Sequence, residues 1–421
     1  MRISSIQIFN IANRGISDAN NAIVHTQEQL STGLRVLNPS DDPVASTKIM
    51  QLTNEISNIE QYDKNINIAE NNLVLEETAL DSVSNLLQRM QELAVQAGNT
   101  ASLSENEYKA LASEVNARLD EMQNILNSQN ANGDYIFGGY KSTAPPFSGN
   151  RQTGFEYEGD EGQQFIKIAN NTTIASTDSG KKIFVDVESA NNTIVTSASK
   201  SNRSDPPVKI SVGQVVDQDA YDEFYPQDMM VTFNPDSNIA PSGKNYTITE
   251  RSSGRVIVAD QPFSPGEEIT VNGVSFTITG TPVSGTVTPA TSGDRLFIDS
   301  SKKQDVLTTL ARFSNMMESY DGSQASRDLL EENVATTLNN IKNTQTSVLN
   351  AISELGARFN TLESTKELHL DSTIIMNDVL SELRDVDWAE ASTRMAAESM
   401  VLQAAQSAFV RVSQLTLFSR L

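Results

Sequence analysis

A heptad seam near the carboxyl end of the chain constrains the fold more than any other feature of the sequence. Its residues recur at alternating steps of four and three, which keeps one stripe facing a partner helix along the whole run. The seam consists of Val334, Leu338, Ile341, Gln345, Val348, Ile352, Leu355, Phe359 and Leu362. This spacing predicts a long helix that packs lengthwise against another helix.

A second segment, in the first quarter of the chain, carries the matching pattern. Its positions are Tyr62, Ile66, Ala69, Leu73, Leu80, Val83, Leu87, Met90 and Ala94, with Glu76 as the one seam position that is not apolar. The simplest fold brings both chain ends together and carries the intervening residues as an insertion. We therefore predict an α+β multidomain protein: a long antiparallel α-helical coiled-coil bundle from both chain ends with an inserted all-β domain.

The composition of the intervening segment supports this insertion. Between Lys141 and Ser300 lie 11 of the 13 prolines and 13 of the 21 glycines. Short runs rich in β-branched and aromatic residues alternate there with turn residues, among them FEYEG, QFIKIA, KKIFVDV, MMVTF and RVIVA. In EITVNGVSFTIT the pair Asn272-Gly273 joins two alternating runs, which is a strong signal of a β-hairpin.

Helix signals set the domain boundaries. Gly33 is typical of a helix C-terminus, and Asp42 followed by Pro43 is typical of a helix start. Ser104 and Glu107 form a capping box, and we expect the last break between Ile375 and Val379. We predict five segments: an N-terminal assembly helix pairing with the C-terminus (1–43), a first bundle half (44–147), an inserted β-rich outer domain (148–300), a second bundle half (301–380) and a C-terminal assembly helix (381–421).

The two terminal segments are apolar around most of their circumference. Ordering a residue costs about 1–2 kcal/mol in backbone entropy, and a large apolar side chain returns about 1.5–3 kcal/mol only when it is fully buried. One partner helix covers only part of each segment, so we expect both to be loose in an isolated chain and ordered among further copies. The alternative is that each terminal segment is an ordinary amphipathic helix that docks on its own domain in a single chain. The predicted assembly interface is Ile3, Ile6, Phe9, Ile16, Ile23, Met395, Leu402, Phe409, Val412, Leu415 and Leu417.

The charge distribution excludes some partners. The net charge is −23, yet residues 1–40 and 388–421 each carry a net charge of +1, which leaves −25 on the rest. An acidic chain disfavours nucleic acid and anionic membrane surfaces. No apolar run approaches the length of a membrane span, and the first residues lack the pattern of a removable secretion signal. We expect any export to use a route without such a signal.

A catalytic centre is not predicted. The chain has no cysteine, and its two histidines, His25 and His369, each lack a second histidine at a helical spacing. The HExxH, GxSxG and GxGxxG motifs are absent. We therefore expect no enzyme activity, no cofactor and no metal. The aromatic residues Tyr221, Phe224 and Tyr225 leave open one alternative, a carbohydrate-binding or enzymatic β domain.

Several segments carry a family resemblance. QEQLSTGLRVLNPSDDPVAS (27–46) resembles the amino-terminal signature of bacterial flagellins and their relatives, and LLQRMQELAVQAGN (86–99) is similar to their long-helix motif. The segments MRIS, NGDYIFGGYKSTAPPF, LRDVDWAEA and VSQLTLFSRL favour the hook-associated branch of this superfamily. Flagellin itself, the filament subunit, is the alternative within the same superfamily.

The resemblance implies an extracellular structural protein of the bacterial flagellum, exported unfolded through the flagellar type III channel without a cleaved signal peptide. It implies a homo-oligomeric ring that joins hook-associated protein 1 to the flagellin filament. An export chaperone would cover the C-terminal helix before secretion. Neither a cofactor, a nucleic acid nor a membrane partner is implied.

Overall fold

The computed structural model describes residues 5–99 and 103–418, which form two compact units. Unit 1 takes the described residues up to Asn65 and from Glu363 onward, and unit 2 is Ile66–Leu362. The helices are α1 (Ser5–Thr32), α2 (Pro43–Ala97), α3 (Glu105–Leu126), α4 (Gln218–Phe224), α5 (Val306–Glu318), α6 (Gln324–Arg384) and α7 (Trp388–Phe418). Helical ends around a β-rich insertion confirm the predicted fold class.

The strands of the insertion are short and antiparallel. They are β1 (Phe147–Asn150), β2 (Gly154–Tyr157), β3 (Phe165–Ala169), β4 (Thr172–Ala175), β5 (Glu188–Ala198), β6 (Lys209–Ile210), β7 (Gln214–Val215), β8 (Met229–Phe233), β9 (Asn245–Glu250), β10 (Val256–Pro262), β11 (Glu268–Val271), β12 (Val274–Thr279), β13 (Thr286–Val287), β14 (Ala290–Thr291) and β15 (Arg295–Lys303). A five-stranded sheet has the order β10-β9-β8-β15-β5, and a smaller sheet has the order β11-β12-β6 with β7 also paired to β12. Three two-stranded ribbons, β1–β2, β3–β4 and β13–β14, lie outside these sheets.

The predicted hairpin is confirmed. β11 and β12 pair in register from Val271–Val274 outward. Asn272 and Gly273 form the two-residue turn with φ of 45° and 75°, and two positive φ angles are what the type I′ turn requires.

One predicted strand is wrong. Lys181–Val185, within KKIFVDV, forms a π-helical turn. Ile183 and Phe184 are both buried in the same apolar core, whereas a strand would send adjacent side chains to opposite faces. The β-branched composition of this segment favours a strand, but only a helical turn buries these two neighbouring residues on the same side.

The predicted seams form the core of unit 2. Ile66, Leu73, Leu80 and Leu87 of α2 are fully buried, as is Leu355 of α6. They share one continuous apolar core with the buried faces of α3 and α5. The buried face of α3 consists of Tyr108, Leu111, Ala112, Val115, Leu119, Met122 and Leu126. A second apolar core lies between the strands of the insertion.

Arg312 of α5 binds the β-rich insertion within unit 2. Its guanidinium donates to the carbonyl oxygens of Gly213 (2.8 Å), Ile194 (2.9 Å) and Val212 (3.0 Å). It also donates to Thr193 Oγ1 at 2.7 Å and Gln304 Oε1 at 2.5 Å. Each of its five N–H groups therefore has an acceptor. Burial lowers the pKa of Arg312 to about 10, which leaves the side chain charged at neutral pH.

In unit 1 the last helix break lies later than expected. Helix α6 continues to Arg384, so the break predicted between Ile375 and Val379 is wrong. No glycine or proline interrupts residues 376–384. The break comes at Asp385–Asp387, where Asp387 Oδ1 accepts from the backbone N–H groups of Ala389 at 2.8 Å and Glu390 at 3.1 Å and so starts α7.

Candidate assembly surface on the terminal helices

Helices α1 and α7 of unit 1 pack against each other as an antiparallel pair. The rings of Phe9 and Phe409 lie 5.2 Å apart between centroids. Towards the other end of the pair, Arg394 Nη2 donates to Gln29 Oε1 at 3.0 Å. A residue near the start of α1 thus contacts one near the end of α7, and a residue near the end of α1 contacts one near the start of α7. The two helices are therefore antiparallel.

The less exposed positions of both helices include a heptad series. On α1 the series is residues 12, 16, 19, 23, 26 and 30, with residues 22, 25 and 29 beside it also less exposed; on α7 it is residues 391, 395, 398, 402, 405 and 409, with residue 394 beside it. Steps of four and three are the signature of a coiled-coil seam. We call these two sets of positions, together with Phe9, the terminal seam.

The structure places most of the described candidate interface on the terminal seam. Ile16, Ile23, Met395, Leu402 and Phe409 are half-buried there, and Phe9 is 47% exposed beside Phe409. Ile3 lies outside the described residues, as do the side chains of Ile6, Val412, Leu415 and Leu417. The described candidates are thus brought together within one molecule, and their role between molecules stays a prediction.

Other large apolar residues of the pair face outward. Met400 is 72% exposed, Ile11 69% and Val401 59%. A single exposed apolar side chain is ordinary on a protein surface, but several on one helix pair indicate a contact surface. The sequence indicated that both helices are apolar on most sides. In the structure these apolar residues form two groups, one on the seam between the helices and one on the outer surface.

A corner of backbone hydrogen bonds links the two loops of unit 1, and sequence reasoning missed it. The backbone N–H of Arg35 donates to the carbonyl of Arg384 at 2.6 Å, and that of Val386 donates to the carbonyl of Gly33 at 2.9 Å. The Arg35 guanidinium adds a bond to the carbonyl of Leu383 at 2.7 Å. We call 33–35 with 383–386 the corner. Gly33 adopts φ of 75°, a left-handed conformation that ends α1 without strain.

Two acidic residues next to the corner accept hydrogen bonds from the backbone, Asp42 from the start of α2 and Asp41 from the loop before it. Asp42 Oδ1 accepts from the backbone N–H of Ala45 at 3.0 Å, which confirms the predicted cap. Asp41 accepts from the backbone N–H groups of Asn38 and Leu37. The bond from Asn38, with His25 nearby, lowers the pKa of Asp41. These carboxylates are occupied by backbone donors.

Replacing Arg35 by methionine is expected to loosen the corner. The substitution removes a charge-assisted bond to the carbonyl of Leu383 and the ion pair of Arg35 Nη1 with Asp42 Oδ2 at 3.5 Å. Because the Arg35 side chain is 42% exposed, we expect a loss of about 1 kcal/mol in the free energy of unfolding. Trp388, the one tryptophan of the chain, lies two residues beyond the corner, so its fluorescence during urea unfolding reports on this region. Arg14→Met, on the exposed side of α1, should leave the midpoint unchanged. Equal midpoints for Arg35→Met and the wild type would contradict a stabilising role for these two contacts.

The described residues form no metal centre. Residues 5–99 and 103–418 contain no group of three histidine, aspartate or glutamate side chains close enough to share a metal ion. His369 is buried and its Nδ1 lies 2.8 Å from Asp63 Oδ1, while His25 Nε2 lies 3.4 Å from Asp41 Oδ2. In the same ranges no helix combines the length and apolar content that crossing a bilayer requires.

The aromatic cluster of the insertion is part of its core. Tyr221 and Phe224 are buried among the strands, and the Tyr221 hydroxyl donates to the carbonyl of Thr193 at 2.7 Å. Burial raises the pKa of Tyr221 to about 12. These two rings do not offer an exposed surface on which a sugar could stack.

Comparison with known families matches both ends of the chain to one superfamily. Residues 3–142 match the bacterial flagellin N-terminal helical region, and residues 338–419 match the bacterial flagellin C-terminal helical region. Together the two matches cover more than half of the chain. The chain belongs to the bacterial flagellin superfamily. It is thus a protein of the bacterial flagellum.

Individual members of the superfamily are similar to different extents. Flagellar hook-associated protein 3 of Salmonella typhimurium is 34% identical over 189 residues, which are 45% of this chain and 58% of that protein. Flagellin of Bacillus subtilis is 33% identical over 150 residues, 35% of this chain and 49% of that protein. The matches thus span less than two thirds of these relatives. A crystal structure of flagellar hook-associated protein 3 from Legionella pneumophila has a TM-score of 0.52 at 28% identity, covering 80% of this chain and 98% of that one.

The flagellin-like ranges include both sides of the corner. Gly33–Arg35 lies in the N-terminal match and Leu383–Val386 in the C-terminal one. The strands of the insertion lie outside both matches. The terminal pair and its corner are therefore the flagellin-like part of the molecule, which makes them the candidate site of its function.

Proposed function

We propose that the chain is the hook–filament junction protein of a bacterial flagellum, equivalent to hook-associated protein 3. Its function would be structural: it joins hook-associated protein 1 to the flagellin filament through self-assembly of its terminal helices. The observation that carries this proposal is the α1–α7 pair, in which the large apolar seam residues Ile16, Ile23, Met395, Leu402 and Phe409 are only half-buried while further apolar residues face outward. The similarity to hook-associated protein 3 over 45% of the chain supports the choice within the superfamily.

The proposal includes the partners and the route. We infer a ring of identical copies in contact with hook-associated protein 1 on one side and flagellin on the other. The near-neutral ends of an otherwise acidic chain support packing of ends against ends, because like-charged bodies repel while neutral helices do not. A flagellar export chaperone would cover the C-terminal helix, and export would proceed without a cleaved signal peptide.

Removing either terminal segment is expected to abolish incorporation. Variants lacking 1–40 or 388–421 should stay soluble and helical by circular dichroism, because the apolar core of unit 2 contains no residue of either segment. Each variant and the full-length chain are purified and added to hooks isolated from cells that lack the protein, which bypasses export, and bound protein is located by immunogold. Incorporation of either truncated chain at the full-length level would refute the proposed role of the ends.

Flagellin remains the second candidate because a flagellin is 33% identical over 35% of the chain. Electron microscopy separates the two. A flagellin extends long filaments when filament seeds are supplied, whereas the junction protein adds to hooks and does not grow a filament on its own.

A further inference from the structure

Two strands of the insertion line the same cavity, far along the chain from the terminal helices. The cavity has a volume of about 600 Å³, which lies within the range of about 300–1,000 Å³ that is usual for ligand sites. Phe155 and Tyr157 of β2 line one side of it, and Thr196 and Ala198 of β5 line another. All four residues belong to unit 2. We call this space the strand cavity.

The outer edge of β2 is unpaired. The backbone N–H of Glu158 donates to the carbonyl of the residue before β1 at 2.8 Å, so the ladder between the two strands uses the even-numbered residues of β2. The N–H and C=O groups of Phe155 and Tyr157 therefore point away from β1, and they have no hydrogen-bond partner among the described residues. The outer edge of β1 differs, because Asn127 of α3 binds both backbone groups of Phe147 at 2.8 and 2.9 Å.

Strand β5 also has an unpaired edge at the strand cavity. The backbone N–H of Ser199 donates to the carbonyl of the first residue of β15 at 3.1 Å, so this ladder uses the odd-numbered residues of β5. The even-numbered residues point their backbone groups away from β15. Arg312 binds the carbonyl of Ile194 there, but the N–H and C=O groups of Thr196 and Ala198 have no partner within the described part of the chain.

Apolar side chains lie between the two edges. Phe147 belongs to the apolar core of the helices, and Val185 packs against it. On the side of the five-stranded sheet, Val195 is 48% exposed and Phe297 is half-buried. An unpaired strand edge beside apolar side chains is a template on which another strand can pair. The strand cavity has two such edges.

We propose that the strand cavity binds an extended segment of a different protein, which adds as a strand between β2 and β5. In strand addition, main-chain hydrogen bonds give the affinity, and pockets for alternate side chains give the specificity. An extended segment carries donors and acceptors on both of its sides, which matches the two unpaired edges. This inference concerns the insertion and does not rest on the proposed function.

Lysines at the strand cavity indicate the charge of the bound segment. Lys181 and Lys303 line the cavity and pair with Glu161 and Asp186. Lys200, at the end of β5, also lines it and is exposed, and its ammonium has no ion pair or hydrogen bond with another described residue. The segment should therefore carry apolar side chains at alternate positions and a carboxylate that reaches Lys200.

A second copy of this chain fits the strand cavity less well than a different protein does. Each described strand already pairs with another strand of its own chain, so a copy has no described strand free to donate. Two copies also carry −23 each and repel one another.

A synthetic strand peptide tests the proposal. The probe is a short, fluorescently labelled peptide of alternating valine and threonine with an aspartate at each end, and its binding to the full-length chain is followed by fluorescence polarisation. Saturable binding is expected, because the main chain is recognised. N-methylation of either alternate set of peptide nitrogens should weaken binding about tenfold or more, since one set faces β2 and the other faces β5. Equal affinities, or no saturable binding up to about 1 mM, would overturn the proposal.

Variants of the chain locate the binding to the cavity. Ser197→Trp fills the cavity from β5 without changing a backbone group, so it should weaken peptide binding about tenfold or more. Lys200→Glu should weaken binding about threefold to fivefold, and the control Lys209→Glu, an exposed lysine of β6 outside the cavity, should stay within about twofold of the wild type. Hydrogen exchange of β8 and β9 should be equal in all of these chains, which shows that the insertion is folded. Wild-type affinity in both Ser197→Trp and Lys200→Glu would contradict the proposal.

Two further measurements identify the contact and the occupant. Saturating peptide should slow residue-resolved hydrogen exchange about tenfold or more at the amides of Phe155, Tyr157, Thr196 and Ala198. Protection at neither edge would place the peptide elsewhere and overturn the proposal. Sedimentation velocity of the full-length chain covers the second copy: self-association that Ser197→Trp abolishes would assign the cavity to a copy of this chain and overturn the proposal as well.

Discussion

Arg312→Met is expected to lower the free energy of unfolding of unit 2 by about 3–5 kcal/mol, since removing one partner of a buried, fully bonded charged network leaves the other groups without donors. The arginine is 8% exposed, and the carbonyls of Gly213, Ile194 and Val212 would lose their guanidinium donors together. Methionine fills a similar volume and donates nothing. Hydrogen exchange of β5 and α5 in the full-length chain, measured in urea, gives the loss directly.

Two comparisons make the Arg312 result specific. Arg312→Lys keeps the charge but has three donors on a flexible stem, so it should fall between the wild type and Arg312→Met. Arg89→Met removes an exposed arginine bound to Glu92 and Glu114 and should cost less than about 1 kcal/mol. If Arg312→Met and Arg89→Met shift the exchange of β5 equally, the network contributes no more than a surface ion pair.

The sequence predicts the helical core well because its signal is local. Steps of four and three set which side of a helix is apolar before any partner is known. Leu73 and Leu80 of α2 and Leu355 of α6 are accordingly fully buried. The caps at Asp42 and Ser104 are equally local, since each side chain acts within one turn of its own position.

The strand order of the insertion could not be predicted from local signals. β15, which ends the insertion, lies between β8 and β5. The alternation of apolar and polar residues in each strand tells which face is buried but not which strand pairs with which. Only the hairpin of β11 and β12, whose turn is encoded by Asn272-Gly273, was predictable as a pair.

Local sequence signals also fail to predict two parts of the candidate site, the corner and the terminal seam. The corner is built from backbone groups of Gly33, Arg35, Arg384 and Val386, and backbone N–H and C=O groups are common to nearly every residue. The apolar residues of α7 surround the helix, so their pattern could not separate Leu402, on the seam, from Met400, on the outer side. Only the packing of α1 makes that distinction.

Glu76 is the one position of the α2 seam that is not apolar, and the sequence does not explain why. The structure shows which residues lie beside it. It is 1% exposed and lies beside Asp178 and Arg358 within unit 2. Arg358 Nη2 donates to Asp178 Oδ1 at 2.8 Å, and Gln163 donates to the same oxygen at 2.5 Å. Asp178 Oδ2 and both Glu76 oxygens have no donor among the described residues. A proton on Glu76 would supply a donor between the two carboxyl groups.

Burial, with the nearby Asp178 charge, raises the pKa of Glu76 well above its ordinary value of 4.5. A group whose pKa is higher in the folded chain binds its proton more tightly there. Its favourable contribution is therefore complete below the pKa of the unfolded chain and is lost as the pH rises through the folded pKa. Between those two values the loss is about 1.4 kcal/mol per pH unit.

Glu76→Gln is accordingly expected to be more stable than the wild type at neutral pH, by about 1–4 kcal/mol, because it removes the ionisable group and keeps a donor for Asp178. Glu76→Leu also removes the ionisable group, but it leaves the buried Asp178 Oδ2 without that donor, so its gain should be smaller. The advantage should shrink as the pH falls and vanish below about 4.5, where the wild-type carboxyl is protonated in both states. Urea unfolding of unit 2 across pH 4–8, followed by hydrogen exchange of 66–97, measures it, with Glu77→Gln as the neighbouring control. A difference from the wild type that does not change with pH would show that the Glu76 carboxyl does not take up its proton on folding.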